Sequence, residues 1–351
     1  MTQAHGPIGG SGIPRRTGDE AIGMVGGSAL PGGVMMRTRT RVGVAVRREE
    51  DGAIVTEGFD LEPPSSRWAR MPLMRGVVAI HSAVSTGHKS MSIGERLRWE
   101  EANPDPPEAE ADQEPEGIGF WGKVAVGTGG LIGAGIQIAA FRIAPIVIAK
   151  QAGLTGAAFI VADAAIRLAL LLGMLLLLSL FRPFRNILKY HGAEHKAIAA
   201  HEAGGPVTAS VAAGFTRFHP RCGTSFLVVS AVVSIAVYGA VLAITGVFTY
   251  PALIATRLIG APIVTAIAFE LQRQAARLSD TRWHFLSAPG IWAQRLTTAE
   301  PDPEELEVAC AALAVALGQP VPEAVTSPAA APQAAPAHAA VADPQPSASS
   351  A

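Results

Sequence analysis

Residues 168–180 read LALLLGMLLLLSL, an apolar run that no charge interrupts. With its flanks it extends from Ala157 to Phe181, past the ~20 residues a helix needs to cross the hydrocarbon core of a bilayer. Its first half carries Asp163 and Arg167, spaced i,i+4 so that one helical face lets them neutralise each other. Three further stretches follow the same pattern: Val124–Ala149, interrupted by glycines and Arg142; Phe226–Phe248, without a charge; and Ala252–Ala268, with Arg257 inside and Glu270 just beyond. The reading is a mainly α membrane protein of about four transmembrane helices, with a small α+β cytoplasmic N-terminal region and a disordered C-terminal tail.

Composition agrees. The chain has 351 residues, of which 49% are hydrophobic and 16% charged, against roughly 25% charged in an average soluble domain. Mean hydropathy is +0.30. A net charge of −1 gives no concentrated basic face and hence no case for nucleic acid as a partner. The two cysteines, Cys222 and Cys310, build no disulfide framework and suit a reducing compartment.

Outward from the spans, the chain divides by composition. Residues 1–20 are Gly-rich and polar, a flexible N-terminus without the apolar core of a signal peptide. Residues 21–99 form the α+β region. Within it, Val42–Val46 and Ile54–Glu57 flank an Asp51-Gly52 turn signal, which predicts a hairpin. The glycine-rich run from Gly26 to Gly33 lacks phosphate-loop spacing and is read as a loop entering a strand. Residues 71–93, with Pro72 at the start, predict a helix too polar to span, able to lie on the membrane surface or pack on the hairpin. It carries His81 and His88, seven apart on one face, taken as solvated or core histidines. Residues 100–117 hold eight acids and four prolines, the composition of a flexible linker. The membrane domain covers 118–285, its cytoplasmic loop 182–223; a cytoplasmic segment covers 286–320 and a low-complexity tail 321–351.

Orientation follows from the basic residues. Arg37 to Arg98 and Lys123 precede the first span, Arg182 to Arg221 lie between spans two and three, and Arg273, Arg277 and Arg282 follow span four. The positive-inside rule puts the middle loop and both termini in the cytoplasm of a multi-pass inner-membrane protein, with membrane lipid as the standing partner and a membrane-protein partner open.

Chemistry concentrates in the middle loop. His191-Gly-Ala-Glu194-His195 sets two imidazoles one helical turn apart, able to share a cation, with an acid between them placed to activate water. Glu202 returns to the same face about three turns on, and Glu270 is a distant acid able to complete the shell. The loop ends in His219-Pro-Arg-Cys222, adding two donors. The candidate metal ligands are therefore His191, His195, His219, Cys222, Glu202 and Glu270, the candidate catalytic group is Glu194, and the cofactor is a divalent metal, zinc by donor type. Four ligands would close a structural site; three would leave room for water and keep Glu194 for proton transfer.

VMMR at 34–37, PLMRGVV at 72–78, YHGAEHK at 190–196, HPRCGTSF at 219–226 and LSAPGIWAQRLTT at 286–298 together resemble, in this order, the YqhQ-like family of bacterial membrane proteins. The resemblance covers about residues 22–315. It implies a metal-dependent enzyme resting on His191, Glu194, His195 and, with them, His219 and Cys222. One departure stands out: before VMMR the family has GGQAVIEG, where this chain has GGSALPGG at 26–33, without the Gln and Glu. Two functions follow from these readings: a membrane-embedded metal-dependent hydrolase at the cytoplasmic face, or a non-catalytic accessory of transport or membrane-protein quality control. A transporter is weaker, since no internal repeat is evident.

Overall fold

The structure, a computed structural model, describes residues 25–62, 67–99, 132–133, 135–277 and 287–321. The N-terminus expected to be flexible, the acidic segment expected as a linker, the expected tail beyond Val321 and residues 124–131 of the first expected span lie outside the described residues.

Four strands, β1 (Gly26–Leu30), β2 (Gly33–Arg37), β3 (Arg41–Arg47) and β4 (Ile54–Asp60), form an antiparallel meander in sequence order. The expected hairpin is β3–β4, with Val42 opposite Phe59 and Val46 opposite Val55. The glycine-rich run is not a loop: it is β1 and the start of β2, joined through Pro31-Gly32, where Gly32 takes the positive φ of 72° that the turn demands.

Strand β3 is buried on both faces because its alternation is one of size rather than polarity. Val42, Val44 and Val46 face Ile93 and Leu97 of α1 (Met74–Trp99). Gly43 and Ala45 face α10 (Pro303–Ala316), an alanine-rich helix that comes so close that a Cβ on Gly43 would stand 2.3 Å from the Ala312 carbonyl oxygen. A capping box starts α10: the Asp302 side chain takes the Glu305 N–H and Glu305 the Asp302 N–H. The first half of α1 leaves the sheet and lies along α8 (Ala261–Arg277), Gly76 against Phe269.

The remaining helices are α2 (Ala144–Gln151), α3 (Gly156–Leu180), α4 (Arg182–Glu202), α5 (Ala209–Ala213), α6 (Gly223–Thr245), α7 (Tyr250–Ile259) and α9 (Ala288–Thr297). Four spans were expected; among the described residues two helices, α3 and α6, are long and apolar enough to cross a membrane, or three if α7 and α8, bent by 45° at Gly260, count as one. At the bend Tyr238 packs close on the backbone, and a Cβ on Gly260 would meet its ring at 2.8 Å. The first expected span is interrupted: a π-turn at Ala139–Ile143 around Arg142 precedes α2, which stops after eight residues. Phe159, Ile146, Leu242 and Leu253 knit α2, α3, α6 and α7 together.

Close backbone packing on β3 yields a stability test. Gly43→Ala should cost about 1–3 kcal/mol by overpacking, seen as a lower thermal midpoint. Gly87→Ala, on an open stretch of α1, should leave stability unchanged or raise it by up to ~1 kcal/mol through helix propensity, seen as an equal or higher midpoint.

Candidate metal centre

Helix α4 carries the His-x-x-Glu-His segment. The chain leaves α3 through an extended Phe181 and restarts with Pro183 in the first turn, so α4 is a separate helix rather than a continuation of the apolar one. Nine of its residues from Tyr190 to Ala200 are buried, against β1 on one side and α10 on the other. Gly192 admits the segment that leads into α10: a Cβ there would collide with the Ala299 carbonyl oxygen at 2.1 Å.

His191, His195 and Cys222 come together, one donor atom of each lying within 4.8 Å of the others. Cys222 Sγ is 3.3 Å from His191 Nε2. Zinc bound to two imidazoles and a thiolate would hold its donors ~3.3–3.8 Å apart, from the usual bond lengths and tetrahedral angles. The orientation of both rings is fixed from behind. His191 Nδ1 bonds the Thr297 carbonyl oxygen at 2.7 Å, and His195 Nδ1 bonds that of Arg217. A carbonyl only accepts, so each Nδ1 carries the proton and each Nε2 keeps its lone pair for the cluster. Burial, the largest influence, holds His195 below the usual histidine range, favouring the neutral ring that ligates.

Cys222 is the N-cap of α6 and accepts the Thr224 N–H at 3.4 Å. Its approach is set by Gln294 of α9, fully buried, whose amide oxygen takes the His219 N–H at 2.8 Å and whose amide nitrogen donates to the His219 carbonyl at 2.6 Å. Gln294 also donates to Ser225 Oγ, and Gly290 lets α9 settle on that serine. Reading from motif spacing passed over Gln294 and Thr297. Both lie in the LSAPGIWAQRLTT segment, which was the only signal for them.

Glu194 is 5% exposed and its Oε2 has no hydrogen-bond partner. Strand β1 passes directly over it, and a Cβ on Gly27 would stand 2.8 Å from its carboxyl carbon. Burial pushes this carboxyl up to about 7, against a smaller downward pull from His191. Glu194, His191, His195 and Cys222 share a cleft of about 370 Å³ with the residues of β1.

The other candidates stay outside the three-donor cluster, although His219 lines the same cleft with its ring 5.8 Å from that of His195. His219 turns its Nε2 to Glu202 at 3.3 Å, and Glu202 also pairs with Arg221, an ion pair at the rim of the cleft. Glu270 is engaged by Arg75 and by the Leu73 N–H where α1 meets α8, so its carboxylate is committed elsewhere. His81 and His88 are exposed on α1.

Fold and site together define a mainly helical protein with apolar helices of membrane-crossing length and a His-His-Cys cluster beneath a small antiparallel sheet. The chain belongs to the family described as "Protein of unknown function (DUF1385)", whose model matches residues 71–319. It is similar to "Uncharacterized protein YqhQ" of Bacillus subtilis (strain 168), 30% identical over 295 residues, covering 81% of this chain and 89% of the relative. No solved structure matches it.

The cluster makes a direct prediction. Protein purified without chelator should carry about one divalent ion per chain by elemental analysis. The His191→Ala/His195→Ala pair should abolish it, His88→Ala should not, and Gln294→Ala should weaken affinity by roughly 10–100-fold through the supporting shell.

Proposed function

We propose that this protein is a metal-dependent enzyme of the membrane, most simply a hydrolase working at the cytoplasmic face of the inner membrane. The observation that carries the reading is a buried acid without a cationic partner, Glu194, in an open cleft beside three donors rather than four. His219, the fourth donor of a closed structural site, is held by Glu202 and by Gln294. His191, His195 and Cys222 are the residues that would hold the metal, zinc by donor type. What a bound divalent ion supplies to such a donor set is Lewis acidity toward a substrate oxygen.

The chain's own residues supply the rest. Thr297 and Arg217 fix the tautomers through their carbonyls. Glu194 Oε2 is free to take a proton from the attacking water and return it to the leaving group. β1 roofs the carboxyl, and Gly27 keeps that roof low without pressing on it. As a non-catalytic accessory, the same chain would bear the cost of desolvating Glu194 with nothing gained from it.

The membrane setting rests on geometry as well as hydropathy. The sheet packs on α4, beyond the C-terminal end of α3, while α3 begins ~36 Å away at Gly156, taking 1.5 Å per residue. With α3 and α6 crossing a bilayer and the α7–α8 pair crossing once, the sheet, α4 and α10 lie on one side. The arginine distribution makes that side cytoplasmic. Membrane lipid is the partner this implies.

Reporter fusions after Gln113, at Gly204 and after Pro320 should all give cytoplasmic signals; a periplasmic signal at Gly204 would reverse the orientation. Chemistry is tested by Glu194→Gln, which keeps shape and removes the base. Metal content should stay at the wild-type level while complementation of a deletion strain is lost, as a ~10²–10⁴-fold fall in turnover would require. Full complementation with metal retained would exclude the enzyme.

A further inference from the structure

The far end of the helical bundle holds a second cluster that the metal centre does not use. Asp163 of α3 lies seven residues from the start of that helix, ~25 Å along it from the His-His-Cys end. Its Oδ2 receives both Arg167 and Arg257, the latter at 2.6 Å. Arg142 reaches in from the π-turn, but its partners are neutral: the Tyr238 hydroxyl at 3.2 Å and the Arg257 carbonyl at 3.1 Å. Arg167 also donates to Ser234 Oγ. Two guanidiniums thus share one carboxylate, and a third stands nearby on neutral partners.

Among the described residues of these helices the only other acid is Glu270, which Arg75 occupies. The imbalance is also buried. Arg257 is 4% exposed and Asp163 3%, and Arg257 stacks on the Tyr238 ring at 4.3 Å. Two buried atoms, Arg257 Nη1 and Asp163 Oδ1, find no hydrogen-bond partner among the described residues. Beside them lies a cavity of about 190 Å³ lined by Asp163, Arg167, Arg257 and Tyr238, with apolar walls from Phe159 and Leu253.

Burying an unmatched charge costs several kcal/mol, and a structural ion pair would have been complete with one arginine. We propose that this cavity binds the anionic group of a ligand, a phosphate or carboxylate, whose charge balances the surplus guanidiniums. Arg257 Nη1 donates to the anion, Arg167 flanks it, and Asp163 Oδ1 accepts from a hydroxyl of the ligand or from a water. The site is independent of the metal centre. A lipid headgroup entering between α3, α6 and α7 and a soluble anion present the same chemistry.

The test uses full-length wild-type protein in a neutral detergent, with dioleoyl phosphatidylglycerol, dioleoyl phosphatidylcholine and inorganic phosphate as separate probes. Native mass spectrometry should show one phosphatidylglycerol per chain, retained at least tenfold more strongly than phosphatidylcholine. A thermal midpoint raised by inorganic phosphate, without selective lipid retention, would instead assign the site to a soluble anion. In either case Arg257→Gln and Arg167→Gln should weaken binding at least tenfold. Should either variant fail to fold, the wild-type measurements decide alone. Wild-type protein that shows neither lipid selectivity nor a phosphate shift overturns the proposal, as does binding undiminished in both folded variants.

Discussion

Helix α4 can stand where it does because two glycines let other backbone come within contact of it. At Gly192 the Ala299 carbonyl occupies the space of a side chain, and at Gly27 the β1 strand lies against the Glu194 carboxyl. Those approaches, with α10 packed against both α4 and the sheet, clamp one turn of helix from both sides. Backbone atoms do not repack as side chains do, so His191, Glu194 and His195 are located to within the tolerance of close packing. Every property of the centre descends from that clamp: the burial that raises Glu194, the roof over the cleft, and the reach of His191 to Thr297.

The second constraint is a set of hydrogen bonds between segments distant in sequence. Gln294 binds both backbone groups of His219, 75 residues earlier, and thereby sets the turn that delivers Cys222 to the N-terminus of α6. Thr297, one helical turn along α9, orients His191 from behind. One short helix after the last apolar segment therefore positions two of the three donors. Fixing a ligand through its far nitrogen is how proteins hold imidazoles for metal ions, and an arrangement built only for packing would not need both Nε2 atoms turned inward.

Much of this was legible from residue order. Asp51-Gly52 between β-type runs located the β3–β4 hairpin, uninterrupted apolar stretches located α3 and α6, and the i,i+4 histidines located the cluster. What escaped did so for physical reasons. The β1–β2 hairpin is written in glycine, serine and proline, because its interior faces are contact surfaces for Glu194 and Val46 that tolerate no side chain; such a strand has no hydrophobic alternation to read. Helix α10 reads as an ordinary cytoplasmic segment, yet it is the centre of the core, its alanines selected for closeness rather than bulk. His219 and Glu202 look like ligands by type, and which donors join a cluster depends on ring direction, a property of tertiary contacts alone. The four-span count weighed composition and not continuity, so the π-turn at Arg142 and the bend at Gly260 were invisible to it.

The two ends of the bundle carry opposite imbalances. Near α4 a carboxylate is buried with no cation; around Asp163 guanidiniums are buried with too few anions. The two cannot compensate each other, because ~25 Å of apolar helix separates them and Coulomb attraction over that distance is a small fraction of the desolvation each incurs. Each must be balanced locally. At the first end a cation seated among His191, His195 and Cys222 would supply the balancing charge; at the second, an anion entering between Arg167 and Arg257 would. A fold selected for stability alone would replace both sets with apolar side chains of similar volume, which is neutral or favourable in buried positions. That neither end has been so replaced is the physical ground for reading both as sites rather than as supports.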